Sequence, residues 1–226
     1  NRVIIENVQP QIDCGQYFVK RVPGERVEVT ADIFGDGHDT IRASLHYKKE
    51  SARKWEEVYM KSMPNDVWRA MFTPTEEGFY TFKVEGWVDH LSNWYKGFLK
   101  KHDAGQHLSV ELQEGANFLE TTAKQYSKSK AKALQEIADV LKDPDRYQDA
   151  VNTVLSAQFA QVVHEYPMKQ FQTVFDNKLR VRVGRKKELY STWYELFPRS
   201  TADLPGKHGT FKDAERLIPR IADMGF

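Results

Sequence analysis

The sequence contains a single cysteine, Cys14, among its 226 residues. One thiol forms neither an internal disulfide nor a cysteine-based zinc site, so a disulfide-stapled secreted scaffold is excluded and a cytoplasmic protein is favoured. The chain also lacks an apolar run of the roughly 18–20 residues that span a bilayer, and its first residues lack the apolar stretch of a signal peptide. We therefore expect a soluble protein and, because the first residue is Asn1 rather than Met, a processed or trimmed one.

Neither sign of charge is in excess. Lys and Arg number 33 and Asp and Glu number 32, which gives a formal net charge of +1. This balance offers no electrostatic basis for binding a nucleic acid or a membrane surface. Hydrophobic residues make up 40% of the chain and aromatic residues 12%, enough to bury a core and to exclude global disorder. The length predicts one large domain or two modest ones.

Motifs for catalysis and for binding metals or cofactors are also absent. The 7 histidines show neither His-x-x-x-His nor His-Glu-x-x-His spacing, and the chain has no Gly-x-Ser-x-Gly elbow or phosphate-binding glycine loop. Asp36, His38 and Asp39 cluster in a turn, but the acidic spacing of a calcium loop is absent and Asp and Gly are ordinary turn residues. We therefore assign no catalytic, cofactor-binding or metal-binding residue.

Up to Leu112 the chain alternates polar and apolar residues, with turn residues between the alternating segments. The clearest strand-like segments are 27–33, 41–47, 68–72, 80–88 and 108–112. The Gly35-Asp36-Gly37 turn predicts that the first two form a hairpin, and a turn over 74–78 predicts the same for the next two. About seven strands in this arrangement favour an immunoglobulin-like antiparallel β-sandwich.

At Glu114 the apolar residues change to the spacing of an α-helix. The predicted helices cover residues 118–126, 133–141 and 147–163, with a short fourth helix near 170–175. Narrow apolar faces and short loops favour a small antiparallel bundle. Residues 179–183 alternate again, so we expect the bundle to be an insertion between two strands of the sandwich.

The C-terminal residues predict the beginning of another domain. Residues 191–198 resemble a strand ended by proline, and a wide apolar stripe over 211–224 predicts a helix. A strand followed by a helix is the first part of a βαβ unit, whose parallel partner strand would begin at Phe226. We therefore expect a fragment of a longer protein that continues into an α/β domain.

The ends of this last helix carry their own signals. Thr210 and Asp213 match a capping box, Gly225 suits a helix C-terminus, and Pro219 is expected to kink the helix. The apolar stripe over 211–224 would lack the rest of its domain. We expect this segment to be disordered, to lie against the sandwich, or to pack on another copy of the chain.

Trp87 is the one candidate contact residue. In the segment 80–88 it falls with Thr81, Lys83 and Glu85 on the polar face, whereas the other large aromatic residues of the sandwich are interpreted as core. We predict that Trp87 meets another domain, another subunit or a glycan.

Segments at both ends of the chain resemble one enzyme family, the bacterial α-1,4-glucan:maltose-1-phosphate maltosyltransferases. Those that look like the start of its α-amylase-type barrel are WYELFPRS (193–200), HGTF (208–211) and IADMGF (221–226). Those that look like its N-terminal domain are RVIIENVQP (2–10), DIFGDGHD (32–39) and EGWVD (85–89). The helical middle is similar in placement but weak in motif.

The resemblance implies an enzyme of glycogen elongation that transfers maltosyl from maltose 1-phosphate to the non-reducing end of an α-1,4-glucan, with release of phosphate and retention of configuration. A retaining reaction needs two carboxylates, one as nucleophile and one as acid and then base. In the family these lie on later barrel strands, beyond Phe226, so no catalytic residue is carried over. The implied role of this segment is homodimer formation and shaping of the active-site surroundings.

Pattern and resemblance together predict three parts. Residues 1–112 and 178–187 would form the sandwich, residues 113–177 the inserted bundle, and residues 188–226 the incomplete start of a (β/α)8 barrel. Two other functions remain open. One is a carbohydrate-binding or interaction module of another α-amylase-type enzyme, such as a branching or debranching enzyme, and the other is a dimerisation scaffold that contacts no sugar.

Overall fold

A computed structural model describes residues 2–175, 177–190 and 192–226 of the chain. Over these ranges the protein combines two β-sheets with several helices, an α+β architecture. The strands are β1 Val3–Gln9, β2 Val19–Arg21, β3 Val27–Gly35, β4 Ile41–Lys49, β5 Glu56–Tyr59, β6 Lys61–Ser62, β7 Val67–Phe72, β8 Gly78–Asp89, β9 Lys169–Val174 and β10 Leu179–Val183. The α-helices are α1 His90–Asp103, α2 Ser109–Ala123, α3 Lys128–Lys142, α4 Tyr147–Leu155, α5 Ala157–Glu165, α6 Phe211–Glu215 and α7 Ile218–Asp223.

The two sheets share one hydrophobic core. The first sheet has the strand order β1-β3-β7-β6, and the second has β2-β10-β8-β4-β5, with β9 also paired to β8. Successive side chains of a strand face opposite sides, so alternate residues such as Val29 and Ile33 of β3 and Leu45 of β4 enter the same core from the two sheets. Among the described strand pairs, β2 with β10 is parallel and the others are antiparallel.

The predicted strands over 27–33, 41–47, 68–72 and 80–88 are confirmed, but the predicted hairpins are wrong. β3 pairs with β1 and β7, whereas β4 pairs with β5 and β8, so the Gly35-Asp36-Gly37 turn carries the chain from one sheet to the other. β7 and β8 likewise belong to different sheets. The alternation of polar and apolar residues indicates which face of a strand is buried. It is the same in two sheets that share a core, so it does not tell whether two successive strands pair in one sheet or face each other across the core.

Helices α1–α5 follow β8 along the chain and build a second core before the chain returns as β9. Large residues of this core are Leu91, Trp94, Phe98, Leu112, Leu119, Leu134, Leu141, Val154, Phe159 and Val163. No helix in the described ranges has both the length and the apolar composition that crossing a bilayer requires.

The prediction that residues 108–112 form a strand is wrong, because this segment opens α2. Val110 is 76% exposed, and the buried residues Leu112, Ala116 and Leu119 recur at helical spacing. The helical region also begins earlier than predicted, at α1, so Trp94 lies in a helix rather than in the sandwich.

Two further helix predictions need correction. The predicted helix over 147–163 is interrupted at Ser156, whose hydroxyl accepts a hydrogen bond from the backbone N–H of Phe159 at 3.1 Å and caps α5. The predicted short helix near 170–175 is absent, because residues 169–174 pair with β8 as strand β9.

The C-terminal segment departs most from its prediction. Ser191 lies outside the described residues, and residues 192–197 form no strand before the 3₁₀ turn Pro198–Thr201. The predicted capping box of Thr210 and Asp213 is confirmed, but the helix is divided into α6 and α7, because Pro219 lies in the first turn of α7. No residue from 192 to 226 is buried.

Candidate functional site

The face of the second sheet that points away from the shared core carries charged and aromatic side chains. Val84 of β8 belongs to the core, so Glu85 and Trp87 face the opposite side. On the neighbouring strands, His46 of β4 and Glu57 of β5 are cross-strand partners on that same outer face. The order β8-β4-β5 therefore assembles these side chains from three separate segments of the chain.

Four residues form what we call the charged cluster: His46, Glu57, Glu85 and Lys169. His46 Nε2 lies 2.9 Å from Glu85 Oε2 and 3.8 Å from Glu57 Oε1. Lys169 Nζ donates to Glu57 Oε1 at 2.9 Å and to Glu85 Oε2 at 3.5 Å. Lys169 is the first residue of β9 and pairs with Asp89 at the end of β8. Lys169 therefore enters the cluster where the chain rejoins the sheet after helices α1–α5.

Both glutamates are held in the ionised form. The hydrogen bond from His46 is the main reason that the pKa of Glu85 is lowered, and Lys169 adds to this effect against burial. Burial by itself would raise the pKa of Glu57, but the hydrogen bond and charge of Lys169, with Ser44 and His46, lower the net pKa. A carboxyl group that acts as a general acid near neutral pH needs a raised pKa instead.

The donor atoms of His46, Glu57 and Glu85 lie within 4.8 Å of one another, a spacing that could hold a metal ion. However, the Lys169 ammonium already contacts both carboxylates, and a divalent cation at the same place would face its positive charge at close range. We therefore interpret the charged cluster as an ion-pair network on the outer face of the sheet that joins β9 to β5 and β8.

Trp87 lies beside the charged cluster and has no exposed surface. Lys169 Nζ lies 4.4 Å from the centroid of its ring, and the Tyr59 ring lies 6.2 Å away. The indole N–H is buried and has no hydrogen-bond partner among the described residues. Contact of Trp87 with a glycan or another subunit stays a prediction, and it would require Lys169 or Tyr59 to move.

Arg42 and Asp89 connect this face of the sheet to the helices. Arg42 donates to the backbone carbonyls of Val163 at 3.3 Å and His164 at 2.8 Å, near the C-terminus of α5, where a cation is favoured. Asp89 caps α1 by accepting from the backbone N–H and hydroxyl of Ser92, at 3.2 and 2.6 Å. It also accepts a hydrogen bond from the backbone N–H of Met168 at 3.2 Å. One buried carboxylate therefore connects the start of α1 to the residue that precedes β9.

The carboxylates of the acidic turn at 36–39 are bound by side chains of the protein itself. Arg2 contacts Asp36 at 3.3 Å and Asp39 at 2.7 Å, and Asn93 of α1 donates to Asp39 at 2.9 Å. These contacts fit the interpretation of an ordinary turn that is anchored to its surroundings.

Sequence reasoning identifies Trp87 and places Glu85 on the same face, but it misses His46, Glu57 and Lys169. Alternation along each strand gives the outward direction of these side chains. It does not give the strand order, and no local signal connects Lys169 with residues of β4 and β5. To predict the charged cluster from the sequence, the order of the strands in the sheet would have to be known.

Large apolar side chains of the C-terminal segment are exposed to solvent. They include Trp193 at 91%, Phe197 at 71%, Phe211 at 84% and Ile218 at 57%. Large apolar side chains exposed to this degree are typical of surfaces that contact another structural unit.

Comparison with known proteins gives one consistent result. A family model described as "Alpha-1,4-glucan:maltose-1-phosphate maltosyltransferase, domain N/S" matches residues 1–185. The α-1,4-glucan:maltose-1-phosphate maltosyltransferase of Chlorobaculum tepidum is 43% identical over 225 residues, which cover 100% of this chain and 33% of the relative.

Enzymes of the same name from other bacteria are similar over the same extent. The enzyme of Methylacidiphilum infernorum is 36% identical over 226 residues, covering 100% of this chain and 33% of the relative. That of Myxococcus xanthus is 38% identical over 234 residues, covering 99% of this chain and 35% of the relative. The chain thus spans about one third of the length of these relatives.

Proposed function

The chain belongs to the α-1,4-glucan:maltose-1-phosphate maltosyltransferase family, and we propose that it is the noncatalytic N-terminal segment of such an enzyme. The enzyme would transfer maltosyl from maltose 1-phosphate to the non-reducing end of α-1,4-glucans and so elongate glycogen. The observation that carries the proposal is the 43% identity over 225 residues to a maltosyltransferase of which this chain covers 33%.

The chemistry of the described residues favours a structural role for this segment rather than a catalytic one. A retaining glycosyl transfer uses two carboxyl groups about 5–5.5 Å apart, one of them with a raised pKa. Glu57 and Glu85 both have lowered pKa values and share the Lys169 ammonium. We therefore place the catalytic carboxylates in the part of the relatives' length that this chain does not cover.

We also propose the finer architecture. The two sheets with a shared core would form an immunoglobulin-like sandwich from residues 1–112 and 178–187, with 113–177 as the helical insert. The positions of the helices support an insert that extends over 90–168 instead. Residues 188–226 would begin the catalytic barrel, and the exposed apolar side chains of this segment support that assignment.

The remaining parts of the proposal concern assembly and location. The segment would help form a homodimer and shape the surroundings of the active site, and the enzyme would act in the cytoplasm. Family membership supports these roles. Sedimentation of the purified chain tests the first: a concentration-dependent dimer supports it, and a monomer at all concentrations contradicts it.

A chimera tests the enzymatic proposal. The N-terminal third of the Chlorobaculum tepidum enzyme, which aligns with this chain over 225 residues, is replaced by this chain. The chimera and this chain alone are then given maltose 1-phosphate and a glucan acceptor, and phosphate release is measured. The unmodified relative is the positive control, and circular dichroism establishes that each protein is folded.

We expect phosphate release by the chimera and none by this chain alone. Release by this chain alone at the rate of the chimera would show that the catalytic groups lie within it. A folded chimera that binds glucan but releases no phosphate would show that this segment does not serve a maltosyltransferase.

A further inference from the structure

A pocket of about 590 Å³ lies on the outer face of the second sheet, at the other end of β8 from Trp87. We call it the Trp55 pocket, and its main lining residues are Lys48, Trp55, Thr81, Lys83, Asn177 and Lys178. β4 and β8 supply the floor, the loop before β5 supplies the tryptophan, and Phe175, Asn177 and Lys178, which lie between β9 and β10, supply the opposite wall. The volume lies within the range of about 300–1,000 Å³ that holds small ligands.

Trp55 differs from the tryptophans of the two cores because 40% of it is exposed. Lys48 Nζ lies 5.3 Å and Lys83 Nζ 5.1 Å from the centroid of its ring, within cation–π distance. The ring is therefore held by two neighbours while part of its surface stays open. The faces of an indole ring carry negative charge density, and the C–H groups of a pyranose ring, which are weakly positive, pack well against any part of a face that the ammonium groups leave open.

Among the described lining residues of the pocket, positive charges outnumber negative ones. Lys48, Lys83 and Lys178 line it, whereas Glu50 is the one acid among the described lining residues. Lys83 and Lys178 form no ion pair with any residue that the structure describes. The charged cluster on the same strands is arranged differently, because two glutamates neutralise its lysine. This excess of ammonium groups among the described residues favours a ligand that carries a phosphate.

Neutral polar groups complete the lining. The Thr81 hydroxyl donates to the backbone carbonyl of Leu179 at 3.2 Å, so its oxygen remains able to accept a hydrogen bond. The Asn177 side chain offers a donor and an acceptor at the opposite wall. Such groups suit the hydroxyls of a sugar, and neither an aromatic ligand nor a bare phosphate would use all of these features.

We propose that the Trp55 pocket binds a phosphorylated saccharide, with the sugar ring on Trp55 and the phosphate between Lys83 and Lys178. This ligand class follows from the pocket alone and goes beyond the proposed function of the whole enzyme. The choice of maltose 1-phosphate as the first probe rests on the proposed function. Glucose 1-phosphate is therefore a second probe that does not depend on it.

The experiment is an NMR titration of this 226-residue chain with each probe, following the indole N–H signals of the tryptophans. We expect a saturable shift of the Trp55 signal with at least one sugar phosphate, while the signal of the exposed Trp193 does not move. Maltose and inorganic phosphate are titrated separately, and each is expected to bind roughly tenfold more weakly than the phosphorylated sugar because it makes half of the contacts.

Matched variants locate the site. Trp55→Ala and Lys83→Gln are each expected to weaken binding roughly tenfold, with the backbone amides of Asn177 and Lys178 reporting on binding where the indole signal is lost. Trp193→Ala and Lys132→Gln remove the same residue types at exposed positions outside the pocket and are expected to change nothing. Dispersion of the amide spectrum shows that each variant is folded.

The proposal is overturned if neither sugar phosphate shifts the Trp55 signal, if folded Lys83→Gln binds as tightly as the parent, or if inorganic phosphate binds as tightly as the sugar phosphates. Binding of glucose 1-phosphate but not maltose 1-phosphate supports the pocket. Phosphate release is measured separately on the chimera, so a failure of the proposed function and a failure of this pocket give different results.

Discussion

At the scale of single residues, Lys169 serves three partners with one ammonium group. Its Nζ contacts the carboxylates of Glu57 and Glu85 and lies 4.4 Å from the centre of the Trp87 ring. The Lys169 side chain is 19% exposed and that of Glu85 is 13% exposed, so solvent screens this group of charges only in part. Without Lys169, two ionised carboxylates would lie close together with His46 and Ser44 as their remaining partners.

Lys169→Met therefore tests the charged cluster. The substitution keeps the apolar stem beside Trp87 and removes the charge, and we expect the free energy of unfolding to fall by about 1–2 kcal/mol. Lys132→Met is the matched control, because Lys132 is 79% exposed and its pair with Glu136 contributes less than about 0.5 kcal/mol. Urea denaturation measures both, and equal losses for the two variants would contradict the role given to Lys169.

The lowered pKa values of Glu57 and Glu85 predict how stability depends on pH. A glutamate whose pKa is lower in the folded state stabilises the fold above its unfolded pKa of about 4.3 and loses this contribution as the pH falls through the folded value. We expect the free energy of unfolding to decrease between about pH 5 and pH 3, and to decrease less steeply in Glu85→Gln.

The control for this pH dependence is Glu6→Gln, which changes an exposed glutamate of β1. Its denaturation curves are expected to follow those of the parent chain at each pH. If Glu85→Gln showed the same pH dependence as the parent, Glu85 would not contribute to the acid sensitivity of the fold.

Sequence reasoning reaches only part of this chemistry. It places Glu85 and Trp87 on one face because alternation is a property of a single strand. It does not single out Glu57, whereas the strand order brings Glu57 next to His46 and Lys169. Contacts between segments that are far apart in the chain depend on sheet order, which the alternation does not contain.

At the scale of elements, α1 and α2 come close together where a glycine faces a tryptophan. A Cβ atom added to Gly115 of α2 would overlap the Trp94 ring of α1. That ring cannot turn away cheaply, because it is buried and its N–H donates to the backbone carbonyl of Glu111 at 2.8 Å. Gly115 is thus a packing requirement between two helices, although glycine is a poor helix former.

Two glycine substitutions separate these effects. Gly115→Ala is expected to lower the free energy of unfolding by about 1–3 kcal/mol, because overlap with Trp94 outweighs the better helix propensity of alanine. Gly97→Ala in α1 meets no atom within 4 Å and is expected to raise it by about 0.5–1 kcal/mol. Thermal denaturation of both variants checks the prediction, and a stabilising Gly115→Ala would show that α1 and α2 are not packed as described.

The elements themselves were predictable where a pattern extends over many residues. The long strands β3, β4 and β8 and the helix α3 follow from alternation or helical spacing over most of their length. The segment 108–112 shows only a short alternation, which is compatible with a helix or a strand. The buried residues that follow it in α2 recur at helical spacing and extend the helix over this segment. α1 begins directly after β8, and the aromatic residues there are typical of both elements.

At the scale of the whole molecule, the C-terminal segment contributes little to either core. No residue from 192 to 226 is buried, and the large side chains there are turned to solvent. Its helices, α6 and α7, have five and six residues and are too short to be stable without packing partners. The two cores are therefore expected to fold without this segment.

A truncation to residues 1–190 tests this independence. We expect the free energy of unfolding to change by less than about 1 kcal/mol, because the removed residues bury no apolar surface in either core. Binding of a dye that reports exposed apolar surface is expected to decrease. A loss of stability as large as that of Lys169→Met, measured by far-ultraviolet circular dichroism in urea, would show that the segment supports the sheets.

The pairing of Asp89 with Lys169 gives the helical stretch a role in the order of folding. β9 must find β8 across residues 90–168, and closing a loop of that length in an unfolded chain costs conformational entropy that rises with the logarithm of its length. When the helices have formed their own core, its two ends already lie side by side. Pairing of β9 with β8 then has the entropic cost of closing a tight hairpin. We therefore expect β9 to pair quickly after the helices have formed and slowly when they have not.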